Sequence, residues 1–94
     1  MSESSGEQWL REGACQSIQK YRAGKITLRS LVNDLSSIFL ELEELPYGEE
    51  LRSQWWELEQ IYAVALDRGY LHELPRQDEL DIQETLDVLE RLLS

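Results

Sequence analysis

Residues 51–66 read LRSQWWELEQIYAVAL, and the rest of the chain can be interpreted around this stretch. Its apolar side chains recur at intervals of three and four residues, which places them on one face of an α-helix. Trp56 falls on the opposite side of that helix. We expect it to pack against the first or last helix, with exposure to a partner as the alternative. The predicted core face carries Leu51, Trp55, Leu58, Tyr62, Ala65 and Leu66.

Three further helices are predicted around this stretch. The first spans about residues 7–21 and ends at Gly24, because a residue just beyond a helix often needs a left-handed backbone. The second begins after Thr27, whose side chain can cap a helix, and stops before Pro46, whose ring disfavours a helical residue ahead of it. The last begins near Asp78, a plausible cap. Their core faces are predicted to be Leu10, Ala14, Ile18 and Tyr21; Leu28, Leu31, Val32, Leu35, Ile38, Phe39, Leu42 and Leu45; and Ile82, Leu86, Leu89 and Leu93.

The connections between these helices indicate the fold class. Pro46, Tyr47 and Gly48 form a turn short enough to fold the third helix, over about residues 49–67, back antiparallel to the second. We expect residues 70–77 to be a connecting loop and residues 1–6 to be a flexible, solvated tail. No stretch of useful length has the period-two alternation of a strand. The sequence therefore predicts an all-α, antiparallel four-helix bundle, with residues 1–94 in one domain.

The charge is large and unevenly placed. The 94 residues carry a net charge of −10. Residues 1–40 contain four acidic and five basic side chains, whereas residues 41–94 contain fifteen acidic and four basic ones. A negative field repels phosphate backbones, so we expect no direct binding to nucleic acid and an attraction to basic proteins. Acidity also keeps small proteins soluble, which is the plainer explanation.

The single cysteine and the apolar runs bear on the compartment. Cys15 has no partner for an internal disulfide, which is typical of a reducing compartment. The N-terminal residues lack the basic start and apolar run of a secretory signal. No stretch approaches the ~20 apolar residues of a membrane span. We therefore expect a cytoplasmic protein that does not enter a membrane and is monomeric in its free state.

The residue types of an active site or a metal site are not grouped in this sequence. The only histidine, His72, has no His-x-x-x-His, Glu-x-x-His or Cys-x-x-Cys pattern around it. We expect His72 to be an ordinary loop residue and Cys15 to be a buried side chain. Adjacent carboxylates such as Glu43 and Glu44 do acid–base work only when one is buried, which nothing here indicates. The sequence predicts no catalytic residue, no metal, no cofactor and no enzymatic activity.

Two acidic clusters are the candidate binding surfaces. The first surrounds the turn between the second and third helices, where acids at a helix C-terminus oppose the dipole and invite a basic partner. The second, within residues 78–90, lies along the outer side of the last helix, and a solvated face is its plainer interpretation. Nearby aromatic side chains are candidate anchors. The predicted partner-binding residues are Glu41, Glu43, Glu44, Tyr47, Glu49, Glu50, Trp56, Tyr70, Asp78 and Glu79.

The segment YRAGKITLRSL at residues 21–31, with the leucine-rich helix that follows, resembles a known group of proteins. Together with WELEQIYA at residues 56–63, it is similar to small helical bacterial immunity proteins, of the colicin D immunity type and those paired with contact-dependent growth inhibition toxins. The matching residues form the fold, so they transfer no contact residues. The resemblance implies a cytoplasmic antitoxin that binds the nuclease domain of a toxin, such as a tRNase, and neutralises it without chemistry.

Three functions fit these observations. The leading expectation is an immunity protein whose acidic surface covers the basic substrate groove of a cognate nuclease toxin. A regulatory adaptor or nucleic-acid mimic would present the same surface to another basic protein. A homo-oligomerising structural module would instead bury Trp56 between copies of the chain.

Overall fold

The computed structural model describes residues 2–71 and 73–93, with side chains from residue 7 onward, and this part of the chain forms four α-helices. They are α1 (Ser2–Arg22), α2 (Leu28–Glu41), α3 (Gly48–Arg68) and α4 (Arg76–Leu93). Each helix packs on the next along the chain, and α1 also packs on α4, which closes the ring. The predicted all-α, antiparallel four-helix bundle is confirmed.

All four helices contribute apolar side chains to one core. The predicted faces of α2 and α4 are confirmed, with each member buried or packed against the buried cluster. Burying a leucine-sized side chain contributes ~1.5–3 kcal/mol relative to leaving it in water, so this shared stripe is what holds the helices together. The largest fully buried side chains are Ile18, Leu31, Leu35, Leu42, Leu51, Leu58, Ile82, Leu86 and Leu89.

The connection from α1 to α2 follows its sequence signals. Gly24 has a φ of 75°, in the left-handed region, and the N–H of Lys25 donates to the carbonyl of Lys20 at 2.8 Å, which ends α1. Thr27 has an extended backbone, and its side-chain oxygen accepts a hydrogen bond from the N–H of Ser30 at 3.2 Å. The predicted cap of α2 is therefore confirmed.

The turn between α2 and α3 is tighter than the sequence alone suggests. The N–H groups of Leu45 and Gly48 donate to carbonyls three residues earlier, at 3.1 and 2.9 Å. Gly48 is buried and begins α3. A Cβ at this position would lie 2.5 Å from the carbonyl oxygen of Glu43 and 2.6 Å from that of Leu42. Glycine is therefore required here by the close approach of two backbones.

Two helix starts differ from the prediction. α1 begins at Ser2, five residues earlier than expected, so the backbone of residues 2–6 is helical. α4 begins at Arg76, and the N–H of Glu79 donates to the carbonyl of Pro75 at 3.1 Å. Asp78 therefore lies inside the first turn and is not the cap. Pro75 directly precedes the first helical residue, and its carbonyl accepts the first hydrogen bond of the helix.

One predicted core position of α3 is wrong. Leu66 is 56% exposed, whereas its neighbour Ala65 is fully buried. Successive residues of an α-helix are rotated by about 100° around its axis. Ala65 therefore faces the core, and Leu66 points away from it. Trp55 and Tyr62 are partly buried and pack against the core, as expected.

Candidate partner-binding surface

The predicted binding residues fall at opposite ends of the bundle. Tyr70, Asp78 and Glu79 lie where α3 leads into α4, and Trp56 lies about two turns along α3 from its first residues. Tyr70, Asp78 and Glu79 therefore lie apart from the predicted residues at the turn between α2 and α3. The remaining acidic residues surround the turn from α2 to α3 and are named the turn cluster here: Glu41, Glu43, Glu44, Glu49 and Glu50.

The carboxylates of the turn cluster are all exposed. Glu43 has a basic neighbour, Arg52, whose Nη1 lies 3.6 Å from its Oε1, with 49% and 71% of the two side chains exposed. Among the described residues, no ion pair involves the other four carboxylates of the cluster. An exposed pair of this kind contributes only ~0–1 kcal/mol. The chain's own cations thus leave most of this charge uncompensated.

The helix dipoles act differently on the two halves of the turn cluster. Glu41 is the last residue of α2, Glu43 and Glu44 follow it, and the last turn of α2 has no basic residue. The partial negative charge of a helix C-terminus disfavours these three carboxylates. Glu49 and Glu50 occupy the first turn of α3, where the dipole favours them. The predicted conflict with the local field therefore concerns the α2 side of the turn.

Tyr47 is not the free aromatic anchor that the sequence suggested. Its hydroxyl donates to Oε2 of Glu7 at 3.2 Å, and the guanidinium of Arg11 lies 5.9 Å from the centre of its ring. Nε of Arg11 also donates to the carbonyl of Leu93 at 2.7 Å. Tyr47 thus connects the turn to α1, and Arg11 of α1 contacts both Tyr47 and the end of α4. These contacts occupy Tyr47 within the fold.

The acids of α4 do not form a single outward row. Asp87 and Glu90 both contact Arg22 of α1, at 2.8 and 3.3 Å, and Glu90 also accepts a hydrogen bond from Gln19. These two acids therefore bridge α4 to α1. The predicted outward placement holds for Asp87, whose side chain is 56% exposed, whereas Glu90 is partly buried beside α1.

At the start of α4 the predicted binding residues lie close to each other. Partial burial and the nearby carboxylate of Asp78 raise the pKa of the Tyr70 hydroxyl, against the lowering effect of Arg68. Tyr70 is partly buried, Asp78 is partly buried and Glu79 is exposed. This group has a single exposed carboxylate, so it offers less surface to a partner than the turn cluster does.

Trp56 faces solvent. It is 54% exposed, so the predicted packing against the first or last helix is wrong. The partners of α3 are α2 and α4, and Trp56 lies on the side that neither covers. Leu40 of α2 is 67% exposed and was not among the predicted binding residues. The sequence could have indicated this exposure, because Leu40 follows the core residue Phe39 and so falls outside the apolar stripe of α2.

A notch of about 190 Å³ lies between α2 and α3, next to the turn cluster. Trp55 forms part of its wall, and the indole Nε1 donates to the carbonyl of Val32 at 3.0 Å, which holds the ring in place. A more open depression next to the notch shares Arg52 and Trp55 with it and includes Trp56. The notch is lined by Ser36, Phe39, Leu40, Glu43, Arg52 and Trp55.

The notch, the depression beside it and the turn cluster together make a surface that we name the α2–α3 face. Its centre is apolar, with Leu40, Trp55 and Trp56, and its edge carries carboxylates. Glu49 and Glu57 border the Trp56 side of this face. The structure thus brings Trp56 together with one of the two predicted acidic clusters.

Elsewhere, a wide groove of about 870 Å³ lies between α1 and the end of α4. Cys15 lies in it and is partly exposed, where full burial was expected. Burial and the Glu90 carboxylate raise the pKa of the Cys15 thiol, against the lowering effect of Arg11. A raised pKa leaves less thiolate, so this thiol is a poor nucleophile near neutral pH.

The described part of the chain lacks two further kinds of site, a metal centre and a membrane span. No group of three or more histidine, cysteine, aspartate or glutamate side chains there is placed to hold a metal ion. None of the helices in that part combines the length and the apolar character needed to span a bilayer. His72, expected to be an ordinary loop residue, lies outside the described residues.

The α2–α3 face thus combines exposed apolar side chains, the notch between α2 and α3, and uncompensated carboxylates. No family model, no curated protein and no solved structure matches this chain.

Proposed function

We propose that this chain is a non-enzymatic binding protein that covers a basic surface of a partner, and that the partner is the nuclease domain of a bacterial toxin. The observation that carries the proposal is the α2–α3 face, where exposed apolar side chains adjoin carboxylates that the chain's own cations do not neutralise. Interfaces commonly place an aromatic anchor at their centre and charges at their rim. Trp56 is the anchor and the turn cluster is the rim.

The choice of a nuclease follows from the charge. An enzyme that cleaves nucleic acid presents a cationic groove to the phosphate backbone. An acidic surface that fits this groove gains from steering and from complementary charge, and it excludes the substrate while it is bound. The resemblance of residues 21–31 and 56–63 to small helical immunity proteins favours the same partner. We place the action in the cytoplasm, where the toxin meets its substrate.

A protection experiment tests the proposal. The partner nuclease domain is to be sought in the neighbouring reading frame. Bacteria that produce this domain should survive when the chain is produced as well, and the purified chain should block cleavage at an equimolar ratio. Failure to protect these cells, with no inhibition of the purified nuclease, would reject the toxin as the partner.

A charge-reversed variant tests the surface. Glu43→Lys with Glu44→Lys should slow association with the nuclease by about tenfold or more at low salt and weaken the salt dependence of the rate. Lysine after the end of α2 is compatible with the helix dipole, so folding should be retained. Stopped-flow fluorescence would measure the rates, and circular dichroism would verify the fold.

Asp67→Lys with Glu73→Lys is the matched control. It changes the net charge by the same amount at the opposite end of the bundle, and Asp67, like Glu43 and Glu44, lies near a helix C-terminus. At ~0.15 M salt, where the screening length is about 8 Å, its association rate should stay within about threefold of the unmodified chain, because a screened charge acts mainly near its own position. Equal loss in both variants would show that net charge alone drives association and that the α2–α3 face is not the interface.

The exposure of Trp56 also favours a second candidate, a homo-oligomerising module. A dimer formed through the α2–α3 face would bring two turn clusters close to each other, and this like-charge repulsion favours the basic partner instead. Light scattering that shows a stable dimer, converted to monomers by Trp56→Ala, would establish the module. An adaptor or nucleic-acid mimic differs only in the identity of its basic partner.

A further inference from the structure

The notch between α2 and α3 has the size of a single side chain. Its volume is about 190 Å³. Small-molecule sites usually measure ~300–1,000 Å³, whereas an apolar cavity of ~150 Å³ holds a benzene-sized group. Phe39 and Trp55 supply apolar walls, Leu40 forms an exposed edge, and Glu43 is the acidic group on the lining. An occupant that matches this lining has an apolar stem and a cationic end.

Arg52 of the same chain shows which cation suits Glu43. Its Nη1 lies 3.6 Å from Oε1 of Glu43, at the border of the notch. This distance exceeds that of a hydrogen bond, and 71% of the Arg52 side chain is exposed. Such loose, exposed pairs contribute little to stability, so another guanidinium can replace Arg52 without disturbing the fold.

We propose that the notch receives one arginine side chain of the partner, with its stem against Phe39 and Trp55 and its guanidinium on Glu43 in place of Arg52. Arginine fits better than lysine, because its planar guanidinium stacks on aromatic faces and can form two parallel hydrogen bonds with a carboxylate. Arg52 also lines the neighbouring depression, where Glu49 and Glu57 can accept it. This inference rests on the proposed function for the partner and adds the chemistry of one central contact.

A peptide titration tests the notch without any toxin. The probe is the blocked tripeptide Gly-Arg-Gly, compared with Gly-Lys-Gly and Gly-Leu-Gly, and the readout is the NMR signal of the three indole N–H groups of Trp9, Trp55 and Trp56. The Trp55 signal should shift saturably at millimolar concentrations of the arginine peptide. The Trp9 signal should not respond, because Trp9 lies on α1 and outside the α2–α3 face.

Three variants identify the contact. Glu43→Gln should weaken binding of the arginine peptide by about threefold to fivefold, as expected for loss of an exposed ion pair. Arg52→Gln should strengthen it by about twofold, because the competing guanidinium is removed. Glu73→Gln is the matched control, since it removes the same charge from an exposed position at the opposite end of the bundle, outside the α2–α3 face, and should leave the affinity unchanged within about twofold.

The outcomes separate this inference from the proposed function. Equal affinity for the leucine peptide, equal affinity for the lysine peptide, no effect of Glu43→Gln, or no Trp55 shift at any accessible concentration would each overturn the arginine site. Protection of toxin-producing cells by a chain that fails the peptide test would reject the notch and retain the toxin partner. Peptide binding by a chain that fails to protect would retain the notch and reject that partner.

Discussion

Gly48 lies where the end of α2 comes closest to the start of α3, and it makes the tight turn possible. The change Gly48→Ala would place a Cβ 2.5 Å from the carbonyl oxygen of Glu43 and 2.6 Å from that of Leu42. These atoms belong to the backbone and cannot move aside as a flexible side chain can. We expect the free energy of unfolding to fall by about 1–3 kcal/mol, the usual cost of overpacking. Urea denaturation followed by circular dichroism would measure it.

Gly13→Ala provides the control, because Gly13 is also a helical glycine without a left-handed backbone. A Cβ there would meet Cδ1 of Ile38 at 3.7 Å, an ordinary contact. Alanine favours a helix interior over glycine by up to ~1 kcal/mol, so this variant should be as stable as the unmodified chain or more stable. Stability changes of the same sign and size in both variants would contradict the role assigned to Gly48.

At the scale of the element, the start of α2 depends on one side chain. Thr27→Ala removes the oxygen that accepts the N–H of Ser30 at 3.2 Å, and this N–H is otherwise without a partner inside the helix. We expect the free energy of unfolding to fall by about 1 kcal/mol, as for other caps. Thr27→Ser should retain most of the stability, and Ser37→Ala, at an exposed position inside the same helix, should cost nothing. A Thr27→Ser variant as unstable as Thr27→Ala would mean that packing, and not the cap, matters.

At the scale of the whole molecule, folding raises the pKa of several side chains that lose a proton at alkaline pH. Burial is the main cause that raises the pKa of Cys15, Tyr21 and Tyr47. A nearby carboxylate raises each pKa further: Glu90 acts on Cys15, Glu79 on Tyr21 and Glu7 on Tyr47. The unperturbed values are 9.0 for the thiol and 10.0 for the phenols. The unfolded chain therefore loses these protons at a lower pH than the folded chain does.

The direction of the pH effect follows from this difference. The stabilisation is complete below about pH 9 and is lost as the pH rises through the folded-state pKa values, because the unfolded state then binds fewer protons than the folded one. Urea denaturation from about pH 8 to about pH 11 should show a falling free energy of unfolding. Tyr47→Phe, which keeps the ring and removes the titrating hydroxyl, should make the fall shallower. A flat profile would contradict the raised pKa values.

Much of this bundle follows from local patterns. The spacing of apolar residues predicts the core stripes of α2 and α4, and a capping side chain and a left-handed glycine mark where α1 ends and α2 begins. Helical periodicity and caps act over three or four residues, so a single sequence contains the information needed to recognise them. The starts of α1 and α4 were misjudged because several nearby residues could begin each helix.

The surroundings of the candidate binding residues depend on contacts between residues that are distant in the sequence. Tyr47 is held by Glu7, 40 residues away, so an aromatic side chain beside an acidic turn proved to be part of the fold. Arg22 engages Asp87 in the same way, 65 residues away.

The sequence by itself therefore determined four amphipathic helices and an excess of negative charge after residue 40. Only the tertiary structure decided that Trp56 stays uncovered and that a notch opens beside Glu43 between α2 and α3. The physical reason is that burial of an off-stripe residue depends on which neighbour each helix packs against and at what rotation. That choice is made by side-chain packing across the bundle and not by the helix itself.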